Sequence, residues 1–276
     1  MKKIIAFILA MVLCCAVFAG CSSNGGNTSS QSTDSKADSS SSTDSDLDYI
    51  VSKGTLIVGI TEYEPMNYQD ENKEWTGFDT EFAQAVAKKL GVEAQFIVID
   101  WDNKFLELDA KSIDCIWNGM TITDEVKNNS SVSDAYVENA QVVVMTKENA
   151  DKYKDAASMA KLSFAAEAGS AGEAAIKENN WNNYTAVTAQ TDALMEVASG
   201  SADACVVDIT MANAMTGKGT SYENLTQTIK LNAEQYGIAF RKGSDATAKV
   251  NEIMAEFKTD GTLDDLAKKY QLTLVK

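Results

Sequence analysis

Histidine is absent from this sequence, and proline and arginine occur once each, as Pro65 and Arg241. Without histidine the chain lacks the side chain that most often serves as general base or metal ligand near neutral pH. Cysteine is also scarce. Five are present, and Cys14, Cys15 and Cys21 fall in the first 21 residues. Cys115 and Cys205 remain, each inside an apolar run and without a C-x-x-C or Cys/His spacing, so they read as buried thiols rather than metal ligands or a disulfide. Basic residues are outnumbered, 24 against 40 acids, for a net charge of −16. That excludes a phosphate-backbone surface, which needs clustered Lys and Arg. No cofactor or metal is expected, and no nucleic-acid partner.

What is present begins with a processing signal. Lys2 and Lys3 precede an apolar segment, Ile4 to Phe18, that is too short for a membrane span. It ends in Val17-Phe18-Ala19-Gly20-Cys21, which resembles a bacterial lipobox with Phe18 in place of the usual leucine. Residues 1–20 are therefore expected to leave as a lipoprotein signal peptide, with Cys21 lipidated with palmitate-type chains. Residues 21–46 are rich in Ser, Thr and Asp and have no hydrophobic periodicity, so they form a flexible tether that cannot offset the entropy of folding.

The folded part is expected from Leu47. With 45% apolar residues in 276, the chain can bury one or two cores. Leu56 to Ile60 reads as a buried strand. In GFDTEFAQAVAKKLG, Phe82, Val86 and Leu90 repeat at helical spacing, Asp79 can cap the start and Gly91 ends the helix. Ala94 to Ile99, a short helix near Phe105 to Leu108, and Ile113 to Trp117 complete a β-α-β-α-β unit. A second unit has strands at Gln141 to Met145, Leu162 to Ala166, Ala204 to Val207 and Gly237 to Phe240, with helices after AGSAG and near Asp192 to Ala198. Two amphipathic helices close the chain. SIDCIWNG and SADACVVD echo one another, each an apolar strand ending in polar groups. Open α/β sheets bind ligands outside the carboxyl ends of their strands, so two facing sheets make a cleft.

At this point the sequence resembles the extracellular solute-binding proteins of polar amino-acid ABC importers. The stretches GTLIVGI, TGFDTEFAQAVAKKLGV, IDWDNK, SIDCIWNGMTITDE, SDAYVENAQVVV, AGSAG, SADACVVD, EQYGIAFRKG and VNEIMAEFKTDGTLDDLAKKY carry the likeness in order, from about Gly54 to Leu274. The resemblance implies a two-lobed α/β fold of the type II periplasmic-binding-protein kind, with two crossover strands as a hinge and the ligand in the interlobe cleft. Lobe 1 would be residues 47–141 plus 234–276, and lobe 2 residues 142–233. The crossovers would lie near Gln141–Val143 and Gln235–Gly237.

Residue by residue, the resemblance puts Tyr63 where an aromatic stacks on the ligand and Trp101 at the opposing apolar position. It puts Asn118, Gly119 and Thr121 on the turn that bonds the ligand's polar end. Ser170 and Ala171 fall on the turn whose N–H groups meet the carboxylate, and Asp208 on the acid that pairs with the α-ammonium. Val126 falls where most members carry the arginine that grips the α-carboxylate. Losing that fork removes roughly 1.5–3 kcal/mol, more than a helix N-terminus restores, and Lys104 or Lys127 could stand in only as a point charge.

Glu62, Glu64, Asp102 and Glu167 crowd the segments expected to rim the cleft. The expected ligand is therefore a polar or basic amino acid or a related amine, with a carboxylate-free amine or other cation kept as the alternative. The partners implied are that ligand, an ABC permease and the membrane reached through the lipid. The protein would be a monomer, lipid-anchored at the extracytoplasmic face of the cell membrane. An enzyme is not expected: the fold is similar to that of some periplasmic dehydratases, but no nucleophile–base pair is visible.

Overall fold

The structure is a computed structural model that describes residues 45–276. The signal peptide, the lipidation site Cys21 and nearly all of the tether lie outside the described residues. The tether was expected to run through Asp46. Instead α1 (Asp46–Lys53) begins there, with the Ser45 hydroxyl accepting from the Asp48 N–H as its N-cap.

Lobe 1 opens with β1 (Thr55–Ile60), the short hairpin β2 (Tyr68–Gln69) and β3 (Trp75–Thr76), α2 (Phe78–Leu90) and β4 (Glu93–Val98). It continues with α3 (Lys104–Asp109), β5 (Cys115–Thr121), α4 (Asp124–Asn129) and β6 (Ser131–Val132). β7 (Val137–Thr146) then crosses into lobe 2, which holds α5 (Lys147–Ala150), β8 (Phe164–Glu167), α6 (Ala171–Glu178), β9 (Tyr184–Val187), α7 (Gln190–Ser199), β10 (Ala204–Asp208) and α8 (Ile209–Met215). β11 (Leu225–Phe240) returns, and α9 (Ala246–Asp260) and α10 (Thr262–Tyr270) close the chain on lobe 1.

The strand order is β4-β1-β5-β11-β7-β10-β8-β9, with β6 on β11. β1 pairs parallel with β4 and β5, and β8 pairs parallel with β9 and β10. The long strands β7 and β11 run antiparallel to each other from Tyr236↔Val137 to Leu225↔Thr146 and carry the chain between lobes. The boundaries expected at 141 and 234 thus fall inside continuous strands. Register shifts between Gln227 and Lys230 and between Lys230 and Ala233 interrupt the ladder. They lie N-terminal to the crossover expected at Gln235–Gly237, which here pairs with Glu138, Val137 and Met120. Interrupted pairing lets the backbone absorb a hinge rotation.

Each lobe has its own aromatic anchor. Phe82 meets Trp117 edge-on at 4.9 Å, and Phe78, Tyr136 and Tyr236 extend that cluster under α2. In lobe 2, Phe164 stacks on Trp181 at 4.3 Å. Such pairs add about 0.5–1.5 kcal/mol beyond their area burial. Trp117 and Met66 are both fully buried in this core. Cys115 and Cys205 are buried free thiols.

Asp79 does not cap α2. Gly77 holds that position, and Asp79 lies fully buried one residue into the helix. Its carboxylate accepts from the Gly119 N–H at 2.6 Å and from the Tyr136 hydroxyl at 2.9 Å. Burial pushes its pKa to about 7.

Candidate functional site

A cavity of about 350 Å3 lies between the lobes, at the carboxyl ends of β5, β8 and β10. Lobe 1 lines it with Trp101, Lys104, Asn118, Gly119, Thr121, Glu125 and Val126, and lobe 2 with Glu167, Gly169, Ser170, Ala171, Glu178, Gln190 and Asp208. A larger concavity, about 980 Å3, runs between the Pro65 loop, α8 and the segment after α10, lined by Tyr68, Asn213, Lys269 and Tyr270 among others. It lacks the strand ends that converge on the smaller one.

Asp208 ends β10 and sits at the N-cap position of α8, but its side chain does not cap that helix. It is 4% exposed and accepts from three amides, Asn139 and Gln141 on β7 and Gln190 on α7, with Gln141 at 2.7 Å. Asn139 and Gln141 also donate to Glu234 of β11, at 3.3 and 3.0 Å, so two carboxylates share two amides. Burial, then the nearby Glu234 charge, push the Asp208 pKa to about 7. Glu234 is raised for the same first reason. Among the described residues, no cation is paired with Asp208.

Glu167 ends β8, 2% exposed, and its Oε1 has no hydrogen-bond partner. Burial raises its pKa to about 8; the Thr61 hydroxyl opposes this most, Asp208 and Asp192 add repulsion, and Lys104 also opposes. After it, Ser170 caps α6: its hydroxyl accepts from the Glu173 N–H at 3.1 Å, and Glu173 accepts from the Gly169 N–H at 3.0 Å. First-turn N–H groups have no partner inside their own helix, and Ala171 presents this turn to the cavity. Lys104, 4% exposed, donates to the carbonyls of Trp101 at 3.1 Å and Gly169 at 3.0 Å, tying the lobes together. Burial lowers its pKa.

Eight of the nine expected ligand contacts therefore line one cavity: Trp101, Asn118, Gly119, Thr121, Val126, Ser170, Ala171 and Asp208. Tyr63 does not. It is 1% exposed, and its hydroxyl sits 2.5 Å from both Thr210 of α8 and Tyr236 of β11. The hydroxyl is held between the lobes, and the ring lies behind Gly119 rather than on the cavity wall.

The polar turn also differs from expectation. The Asn118 amide is occupied by Thr61 and Asn67, the Gly119 N–H by Asp79, and the Thr121 hydroxyl by Glu234 at 3.0 Å. These groups shape the wall but are already hydrogen-bonded. Gly119 has φ +55°, and a Cβ there would lie 2.7 Å from the Tyr63 ring. Gly119→Ala is expected to lower stability by about 2 kcal/mol from left-handed strain and the clash. Urea unfolding checks this, and a change under about 0.5 kcal/mol would show that the wall yields freely.

Val126 lines the cavity inside an apolar cluster with Ile99, Trp101, Leu108 and Met120. Arg241 cannot replace the missing arginine. It is held in lobe 1 by Asp46 at 2.7 Å, Asp114 at 3.2 Å and the Ile113 carbonyl at 2.6 Å. Lys127 points to Asp124 instead, and of the rim acids expected only Glu167 faces the cavity. The sequence reading missed Asn139, Gln141, Gln190 and Glu234. The signal was present for two of them: Asn139 and Gln141, two apart on β7, share a strand face just before the apolar run Val142 to Met145.

This arrangement has known counterparts. Residues 56–273 match the bacterial extracellular solute-binding proteins, family 3. The chain belongs to this family. The L-cystine-binding protein TcyA of Bacillus subtilis (strain 168) is 31% identical over 276 residues, covering 98% of this chain and 97% of that protein. The L-cystine-binding protein TcyJ of Escherichia coli (strain K12) is 30% identical over 227 residues, covering 81% and 85%. Among solved structures, the P235GK mutant of ArgBP from T. maritima superposes with a TM-score of 0.76 at 32% identity, covering 82% of this chain and 98% of that one. The two-lobed architecture of a family 3 solute-binding protein thus accounts for the crossover strands and the interlobe cavity. Among the described residues, no helix is long and apolar enough to cross a membrane, and no cluster of His, Cys, Asp or Glu could hold a metal ion.

Proposed function

We propose that this family 3 solute-binding protein captures an amino acid between its lobes and hands it to an ABC permease, held at the outer face of the cell membrane by a lipid on Cys21. One observation carries the ligand reading. Asp208 is a buried carboxylate facing the cavity with neutral amides around it and no cation. A buried charge of this kind is stabilised chiefly by a counter-ion, and an α-ammonium supplies one. The α-carboxylate then lies at the N-terminal turn of α6, near the Lys104 ammonium, with Trp101 and Val126 as the apolar wall. That seat for an anion favours a zwitterion over a carboxylate-free amine. The protein acts by binding and lobe closure rather than by turnover, and as a monomer. The relatives named for L-cystine support this class of ligand without naming this one.

Isothermal calorimetry with a panel of amino acids, alongside amines lacking a carboxylate, tests the proposal. Saturable binding of at least one amino acid is expected. Binding of amines alone would restore the alternative, and binding of neither would remove the function. Val126→Arg tests the carboxylate end. Restoring a fork should tighten zwitterionic amino acids by up to about ten-fold after the strain of the larger side chain. No gain for any of them would place position 126 out of reach of the carboxylate.

A further inference from the structure

The cavity wall holds five carboxylates, Asp124, Glu125, Glu167, Glu178 and Asp208, against the single ammonium of Lys104. Asp124, Glu125 and Glu178 are exposed at the rim, where water screens them. The two buried ones differ in a way that matters. Asp208 is surrounded by amide donors, whereas the Oε1 of Glu167 has none. Their strands are neighbours: β10 pairs parallel with β8 at Cys205↔Ala165, so both acids stand at the same end of the sheet. A buried carboxylate oxygen without a donor is a high-energy group unless a proton or a cation neutralises it, and the Thr61 hydroxyl is the one donor acting on Glu167.

The groups facing Glu167 come from four elements: Asp208 on β10, Asp192 on α7, Lys104 on α3 and Thr61 after β1. Lys104 is the only cation among them, and its ammonium donates to the carbonyls of Trp101 and Gly169. Two acids therefore face Glu167 against one committed base.

We propose that Glu167 is a second cation anchor, so that the cavity selects amino acids carrying a second cationic nitrogen beyond the α-ammonium held at Asp208. This rests on the amino-acid reading above. Before binding, Glu167 is neutralised by a proton; the entering cation displaces that proton to solvent. The inference stands on the unpartnered carboxylate oxygen of this chain.

The test compares L-lysine, L-arginine and L-cystine with L-norleucine, which has lysine's chain without the ε-ammonium. In the wild type at least one of the first three should bind about ten-fold or more tighter than norleucine. Glu167→Gln should bring that ratio close to one while norleucine binding holds. Circular dichroism and thermal melting confirm that the variant folds. Calorimetry in two buffers of different ionisation enthalpy counts protons released near pH 7, and the count should fall in Glu167→Gln. An unchanged ratio in Glu167→Gln overturns the inference, as does a uniform loss that includes norleucine, which would put Glu167 on the α-ammonium instead. If the wild type binds norleucine or glutamine as well as the dicationic ligands, the second anchor fails while the amino-acid reading stands. If it binds none of these but another amino acid of the panel, the second anchor fails while the amino-acid reading stands; if it binds no amino acid at all, the parent reading fails.

Discussion

Asp208→Ala is expected to weaken amino-acid binding by roughly two to three and a half decades. The α-ammonium would enter a cavity with its counter-ion gone, and removing one partner of a buried pair costs about 3–5 kcal/mol, at 1.4 kcal/mol per decade. Asp208→Asn should fall between, since it keeps the shape and one acceptor but loses the charge. Stability without ligand should behave in the opposite way. Asp208 is a desolvated acid beside Glu234, and both draw on the amides of Asn139 and Gln141. Relieving that competition should leave the melting temperature of the free protein unchanged or raised. Calorimetric titration and thermal melting of the same samples separate the two effects. An affinity within three-fold of wild type would remove Asp208 from the ligand's contacts.

Free protein should be more stable at pH 5 than at pH 8, by on the order of 5 kcal/mol. Three buried acids set this. Asp79 and Asp208 are raised from 3.8 to about 7 and Glu167 from 4.5 to about 8, in each case first by burial. Between the two values of each group, the native state holds a proton that the unfolded chain has lost. Stability therefore falls as pH rises through this window, by up to about 1.4 kcal/mol per unit for each group. Asp208 and Glu167 repel one another, so their contributions do not add in full. Ligand binding runs the other way, because a cation needs the ionised carboxylates. The thermal shift produced by a saturating amino acid should grow from pH 5 to pH 8. Urea unfolding at each pH, with and without ligand, checks both signs, and a flat or rising stability for the free protein would mean that the acids are ionised throughout.

Much of the fold was legible because it is written in local periodicity. The apolar runs at Leu56, Ile113, Leu162 and Ala204 became β1, β5, β8 and β10, and the spacing of Phe82, Val86 and Leu90 became α2. The strand ends were legible as site because polar residues there break an apolar run. What the sequence concealed was long-range pairing. Nothing near Tyr63 tells that its hydroxyl meets Thr210 and Tyr236, 147 and 173 residues away. Nor does anything near Gly119 reveal that its N–H belongs to Asp79. β11 was legible as an apolar strand only at Gly237 to Phe240, with the resemblance adding a crossover near Gln235–Gly237; its first two-thirds alternate weakly and gave no strand signal. Glu234 stands just before the crossover, and its place beside Asp208 was not legible.

Tyr63 has a consequence for how the protein reports its load. Its hydroxyl joins lobe 1 to α8 of lobe 2 without lining the cavity, and Lys104 joins α3 to Gly169 through a backbone carbonyl. Neither clasp uses a ligand atom, so each favours the shut conformation of an empty molecule as much as of a full one. Any share of empty molecules held shut must reopen before loading, which lowers apparent affinity. A transporter that reads only the outline of the two lobes would receive the same message from a full and an empty carrier. On the ligand reading proposed above, the distinction comes from the interior charges at Asp208 and Glu167, which only a loaded molecule has neutralised by a ligand cation.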